Sequence, residues 1–191
     1  RADNTTAFFG PPATSSPISA PFAMLDQQLR TDIKQIIVYG QSLARGVQSL
    51  PAISLIQPYQ NVMIASGVKV RADEAGYNPT AFAPLVEEVA GNEGETPVSG
   101  ICNGVTRRAV AAGEVAERWV MSGMAPGRSG ASVESLSAQP LGTGYFENTL
   151  TVVEDCKKLA EAEGKSYSVW AYSWIQGESN YLSMWEGSPY Q

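Results

Sequence analysis

The sequence predicts an α/β fold in which a parallel β-sheet is covered by helices on both faces. Short apolar runs typical of buried strands alternate with longer segments of helical periodicity. Strands that alternate with helices of this length require right-handed crossovers, and these make neighbouring strands parallel. At 191 residues with 43% hydrophobic content, the chain has the size and composition of one domain.

The first part of the chain is predicted to be an N-terminal arm or linker, residues 1–30, followed by the folded domain, residues 31–191. The arm is rich in Pro, Ala, Ser and Thr and has little periodicity. The first strand follows at residues 35–39 and runs into Gly40-Gln41-Ser42, with a short helix expected directly after the serine. The apolar run at residues 62–65 predicts the second strand.

Two helices are predicted before the third strand. Asn78-Pro79 combines a capping residue with a proline, and apolar residues at helical spacing follow as far as Gly91. Thr96-Pro97 repeats this arrangement, and the apolar face that follows ends at Gly113. Both segments are therefore expected to be crossover helices.

A longer helix is predicted over residues 145–163. Its periodicity places Leu150 and Cys156 on the inner face, and it places Glu154 and Lys158 together on the outer face. Cys156 and the other cysteine, Cys102, are far apart and in no Cys-x-x-Cys arrangement, so the sequence indicates neither a zinc site nor a disulfide framework. Both are expected to be buried thiols on helix faces.

Composition excludes several classes of partner and cofactor. The net charge is −6 and no basic cluster outweighs it, so nucleic acid is not expected as a partner. No apolar run reaches the length of a membrane span, and neither a Walker loop nor Gly-x-Gly-x-x-Gly is present, so membrane association and nucleotide cofactors are not predicted. The sequence leaves the compartment open, secretion included.

Two further strands are predicted to end in loops that carry polar groups. The strand at residues 119–125 runs into Pro126-Gly127-Arg128-Ser129, and the strand at residues 166–174 runs into Gln176-Gly177-Glu178. Because parallel strands end at one edge of a sheet, we expect Ser42, Gly127 and Gln176 to converge. A serine hydroxyl can attack a carbonyl, while backbone N–H groups and a glutamine amide can stabilise the oxyanion that forms. The competing interpretation is a set of ordinary capped turns without chemistry.

These three loops resemble the first three sequence blocks of the SGNH hydrolases. They are most similar to the branch of sialate O-acetylesterases and related acetylxylan esterases, in which Gln-Gly-Glu replaces the usual Gly-x-Asn-Asp block. The resemblance extends over residues 35–180. It implies a three-layer α/β/α, flavodoxin-like parallel sheet without its C-terminal strand and helix.

The resemblance also implies an activity and the residues that carry it. Ser42 corresponds to the nucleophile, and Ser42, Gly127 and Gln176 correspond to the oxyanion hole. The implied substrate is a carboxylic ester, and specifically an acetyl ester on a small molecule or glycan, with no cofactor and no metal.

Four positions near the blocks either depart from the family pattern or allow two interpretations. Leu43 stands where Asn commonly follows the serine in this family, and Asn180 stands where Asp is common. Gly130 competes with Gly127 for the second block because the loop is longer than usual. Glu178 is expected to orient the third loop through hydrogen bonds, the alternative being a solvated carboxylate.

The chain contains no histidine, which is the usual base for an esterase serine. The family takes that base from an Asp-x-x-His segment near its C-terminus, so a separate or cleaved C-terminal segment carrying Asp-x-x-His is an expected partner. We expect the 191 residues alone to be an incomplete catalytic unit, with little turnover and an open apolar sheet edge. The alternative is a catalytically inactive carbohydrate-binding or structural module that retains the fold.

Overall fold

The computed structural model describes residues 31–182, and this part of the chain forms a five-stranded sheet flanked by helices. The predicted α/β class is confirmed. The arm at residues 1–30 and the segment at residues 183–191 lie outside the described residues. The strands are β1 (Ile33–Gly40), β2 (Val62–Ile64), β3 (Phe82–Pro84), β4 (Val120–Met124) and β5 (Tyr167–Ile175). The α-helices are α1 (Pro97–Ala111), α2 (Val133–Leu136), α3 (Tyr145–Ala162) and α4 (Glu178–Leu182), with a 3-10 turn at Ala116–Arg118.

The sheet is mixed rather than fully parallel. Its strand order is β3-β2-β4-β1-β5, with parallel pairing at β2–β4, β4–β1 and β1–β5 and antiparallel pairing at β2–β3. The prediction of a helix after Asn78-Pro79 is therefore wrong, since Phe82–Pro84 forms a strand that pairs with Val62–Ile64. Pro84 explains the difference, because proline inside a helix removes a donor and clashes with the preceding turn, whereas an edge strand tolerates it.

Strand β1 lies inside the sheet and is buried along its whole length. Successive side chains point to opposite faces of a strand. Ile36 and Val38 pack with residues of α1, and Ile37 and Tyr39 pack with residues of α3. One long helix therefore covers each face of the sheet.

Helix α1 confirms the second predicted helix. It begins at Pro97, and the Val98 N–H donates to the hydroxyl of the capping residue Thr96 at 3.3 Å. Cys102 is buried on its inner face and Cys156 on that of α3, as the sequence predicts. Burial raises the pKa of both thiols, that of Cys156 to about 12, so both remain protonated at neutral pH.

No helix within residues 31–182 combines the length and the apolar character that a membrane span requires.

Helix α3 confirms the third predicted helix but corrects its orientation. Leu150, predicted to face inward, is exposed, and Thr149 is buried in its place. Thr149 can be buried because its hydroxyl donates to the Tyr145 carbonyl at 3.1 Å. On the outer face, Lys158 pairs with Asp155 at 2.9 Å rather than with Glu154 as predicted.

Strand β5 forms one edge of the described sheet. Val169, Tyr172 and Trp174 on this strand are 38%, 42% and 42% exposed, although the rings of Tyr172 and Trp174 lie 5.7 and 5.6 Å from that of Tyr39. The expected apolar edge is therefore present in this part of the chain. That a further strand docks there stays a prediction.

Gly40 ends β1 where it meets β5, and replacing it should separate the two strands. A Cβ at position 40 would lie 1.7 Å from the Ile175 carbonyl oxygen, whereas one at Gly104 in α1 would meet nothing within 4 Å. We expect Gly40→Ala to lower the free energy of unfolding by about 3 kcal/mol. The control, Gly104→Ala, should raise it by about 0.5–1 kcal/mol. Urea unfolding followed by circular dichroism measures both, and equal stability of Gly40→Ala and wild type would contradict the contact.

Candidate active site

The loops after β1, β4 and β5 contact one another at one edge of the sheet. Parallel pairing aligns Gly40 with Ile175 and Ile37 with Met124, so β1 and β5 end side by side and β4 ends opposite Ile37, at the same edge of the sheet. The Gln41 N–H donates to the Ile175 carbonyl at 3.1 Å, and the Arg128 N–H donates to the Gly40 carbonyl at 2.9 Å. The structure thus brings together the loops that carry Ser42, Gly127 and Gln176.

The segment after Ser42 is a turn, so the helix predicted there is wrong. The Arg45 N–H donates to the carbonyls of Gln41 and Ser42, both at 3.2 Å, and the chain then leaves the helical path. Gly46 has a φ of +73° and stands so close to the Glu95 carbonyl that a Cβ would lie 2.3 Å from it. This positive φ and this contact end the turn. This segment therefore places no helix dipole beside Ser42.

Two backbone donors and a hydroxyl in this region have no partner within residues 31–182. Ser42 is half-buried, and within residues 31–182 neither its N–H nor its Oγ makes a hydrogen bond. The Gly127 N–H likewise has no partner among the described residues. Unpaired N–H groups near a hydroxyl are the elements of an oxyanion hole.

Gly127, rather than Gly130, lies against the Ser42 loop. A Cβ at Gly127 would lie 2.2 Å from the Gly40 carbonyl oxygen, so a side chain there would push the two loops apart. Gly130 is exposed, has a φ of +75°, and has no atom near its Cβ position. Gly130 therefore serves the turn that follows, while Gly127 provides the close approach.

The buried side chain of Gln41 connects the third loop to the first. Its Oε1 accepts from the Ser179 N–H at 3.1 Å and from Gln176 Nε2 at 3.4 Å. Gln176 Nε2 also donates to Asn180 Oδ1. Both hydrogens of the Gln176 amide thus have partners, although the bond to Gln41 is long and weak. The sequence predicts no role for Gln41, because nothing in the sequence shows that its amide is buried.

Asn180 and Glu178 differ in how they are held. Asn180 Oδ1 accepts from the Val133 N–H at 2.9 Å, and its Nδ2 donates to Glu134 at 3.2 Å, so it joins α4 to α2. The Glu178 side chain makes no hydrogen bond with any described residue, and its Oε1 is shielded from solvent. The orienting hydrogen bonds expected of Glu178 are therefore not seen in residues 31–182.

Arg45 and Glu93 form an ion pair that sequence reasoning missed. Arg45 is 7% exposed, and its Nε and Nη2 each donate to the Glu93 carboxylate at 2.9 Å. Its Nη1 donates to the carbonyls of Gly127 and Lys69 at 3.0 and 3.1 Å. Ser129 Oγ adds a hydrogen bond to Glu93 at 3.1 Å. The only sequence signal was an arginine three positions after the serine, since Glu93 is 48 residues further along the chain.

Burial and the arginine act in opposite directions on Glu93. Burial raises the pKa of the Glu93 carboxyl, but the hydrogen bonds and charge of Arg45 outweigh burial and hold the pKa below its usual value. The Glu93 carboxylate is therefore charged at neutral pH and keeps the guanidinium in place.

A search of protein-family models and of curated proteins finds no match to this chain.

A second buried ion pair, between Lys69 and Glu87, lies next to the pair of Arg45 and Glu93. Lys69 Nζ is 3.8 Å from Glu87 Oε2, and both side chains are almost fully buried. Burial raises the pKa of Glu87, although the hydroxyls of Thr96 and Ser99 donate to its Oε1. Within the described part of the chain, no group of three or more His, Cys, Asp or Glu side chains is suited to hold a metal ion.

A surface groove lies outside the three loops. It has a volume of about 660 Å³ and is lined by residues of β2, β3 and the segment before β2, among them Tyr59, Met63 and Phe82. None of the sequence-predicted site residues lines it. The groove is mainly apolar.

The lowered pKa of Glu93 predicts a loss of stability in acid. Because the carboxyl binds its proton less readily in the folded chain, its ionisation stabilises the fold above the unfolded-state pKa of about 4.3. That stabilisation is lost as the pH falls through the lower folded-state pKa. Between pH 7 and pH 3, urea unfolding should therefore show a larger loss for wild type than for Glu93→Gln. Glu161→Gln removes an exposed ion pair with Lys157 and should behave like wild type; the same behaviour of Glu93→Gln would contradict the assignment.

Proposed function

We propose that this chain is the nucleophile-bearing part of a serine esterase, which hydrolyses acetyl or other carboxylic esters on a carbohydrate through an acyl-Ser42 intermediate. The observation that supports it is that, within residues 31–182, the Ser42 hydroxyl and the N–H groups of Ser42 and Gly127 are unpaired, in two loops that contact each other. The order of the three loops and their resemblance to the SGNH hydrolase blocks support it too. In the same proposal, the sheet is the flavodoxin-like, three-layer sheet of that superfamily.

The chemistry follows from these groups. Ser42 Oγ attacks the ester carbonyl carbon, its proton passes to a base, and the carbonyl oxygen becomes an oxyanion. The N–H groups of Ser42 and Gly127 donate to that oxygen, and Gln176 adds a third donor by giving up its 3.4 Å bond to Gln41. Collapse expels the alcohol oxygen, which takes the proton from the base. Water then attacks the acyl-Ser42 in the same way and releases the carboxylic acid.

The base is proposed to be a histidine that these 191 residues do not contain, carried by an Asp-x-x-His segment. Lys165 is a poor substitute because it precedes β5, at the opposite end of that strand from Gln176, and pairs with Glu163 at 2.7 Å. The absence of histidine also favours a second function, a carbohydrate-binding module without turnover. The two functions differ in whether Ser42 becomes acylated.

Free imidazole should replace the absent base. We expect the 191-residue chain to show little turnover of an aryl acetate, and imidazole to raise the rate in a saturable manner. The rate is measured by release of the phenolate, on protein whose intact mass is verified. Because imidazole itself cleaves aryl acetates, Ser42→Ala with imidazole provides the background. Equal rates for wild type and Ser42→Ala would contradict the esterase proposal, and glycan binding without acetylation would support the binding module.

Substitution of the nucleophile should lower the esterase rate more than substitution of an oxyanion donor. Ser42→Ala should abolish the protein-dependent rate and the acetylated species seen by mass spectrometry, because no other group forms the covalent intermediate. Gln176→Ala should lower the rate about a hundredfold, as loss of one oxyanion donor does elsewhere. Gln139→Ala, which removes a glutamine outside the three loops, is the matched control. A full rate in Gln176→Ala would remove Gln176 from the oxyanion hole.

A further inference from the structure

The peptide unit between Gly127 and Arg128 is held at both of its ends. Its carbonyl accepts from Arg45 Nη1 at 3.0 Å, and its N–H donates to the Gly40 carbonyl at 2.9 Å. A planar peptide held at both ends cannot rotate without breaking one of these bonds. The N–H of Gly127, which has no partner among residues 31–182, belongs to the preceding peptide unit, which shares the Gly127 Cα, so the same two bonds restrict its position.

Arg45 is itself fixed from two sides. It lies in the turn that begins at Ser42, and its backbone N–H donates to the carbonyls of Gln41 and Ser42. Its guanidinium is held by both oxygens of the buried Glu93 carboxylate, and Ser129 of the second loop donates to the same carboxylate. One guanidinium therefore connects the turn of the nucleophile to the loop of the second donor.

We infer that Arg45 and Glu93 are positioning residues, which set the distance between Ser42 Oγ and the Gly127 N–H so that both act on one ester carbonyl. The inference rests on the proposed function. Neither side chain touches the reacting atoms in this assignment, because every hydrogen bond of the pair goes to backbone carbonyls, Ser129 or its partner. Their effect is therefore on oxyanion stabilisation, which lowers kcat when lost, and not on ground-state binding, which raises KM.

A purely structural role makes a different prediction. Buried ion pairs often contribute little net stability, because desolvation offsets their attraction. If the pair only supported the fold, substitutions would change the free energy of unfolding and leave the kinetics of the remaining folded protein unchanged. If it positions the donor, kcat falls in protein that is fully folded.

The test uses the whole chain with an aryl acetate and saturating imidazole. Arg45→Lys keeps the charge but cannot form the two-pronged bond while also reaching the Gly127 and Lys69 carbonyls. We expect it to lower kcat about 10- to 100-fold with KM changed by less than about twofold, as a small displacement of a catalytic group does. Glu93→Gln should give a smaller loss in the same direction. Methylguanidinium should restore part of the kcat of Arg45→Ala by occupying the vacated position.

Arg71→Lys is the matched control, because the ion pairs of Arg71 join it to Asp73 and Glu74 outside the three loops. It should have the kcat of wild type. Urea unfolding establishes the folded fraction of each variant. If Arg45→Lys does not fold, the kcat of Glu93→Gln tests the inference instead. A wild-type kcat in the folded variants, or a raised KM alone, would overturn the inference while leaving the esterase proposal intact. Absence of Ser42-dependent acetylation in wild type would overturn both.

Discussion

Parallel pairing of β1 with β4 on one side and β5 on the other is the interaction on which the candidate site depends. Strands that run in one direction end at one edge, so loops that are far apart in sequence meet there. Every residue of β1 is buried, and its alternate side chains pack against α1 and α3. A slip of one residue would exchange the side chains that face α1 with those that face α3, so packing against both helices favours the observed register and with it the meeting of the loops.

Close backbone contacts and buried charged side chains hold the loops after β1 and β4 together at this edge of the sheet. A Cβ at Gly127 would clash with the Gly40 carbonyl and one at Gly40 with the Ile175 carbonyl, and the carbonyls of Gly40 and Gly127 each accept a hydrogen bond from the neighbouring loop. Arg45 and Glu93 lie behind this contact, and Lys69 connects them to Glu87. Burying four charged side chains costs free energy that apolar residues would not cost. Their arrangement is better explained by the backbone carbonyls that they hold in place than by any gain in stability.

Much of the fold could be predicted from local signals. The strands β1, β4 and β5 are mainly apolar and aromatic segments, and α1 begins with the Thr96-Pro97 cap that predicted it. Prediction was wrong where a local signal competed with a tertiary one. The cap at Asn78-Pro79 suggested a helix, but pairing with β2 and the proline at position 84 favour a strand. The turn after Ser42 stops at Gly46 because of a contact with Glu95, far along the chain.

By itself, the sequence determined the α/β class, the absence of histidine, and the three strand-to-loop transitions that carry Ser42, Gly127 and Gln176. These depend on residue type and on short-range periodicity, which a sequence displays directly. Only the tertiary structure decided that Gly127 rather than Gly130 meets the first loop, that Gln41 holds the third loop, and that the Glu178 side chain has no partner within residues 31–182. The ion pair between Arg45 and Glu93 is likewise visible only in the tertiary structure. The physical reason is that burial and hydrogen-bond partners across long sequence separations arise from packing, and packing has no local signature in the chain.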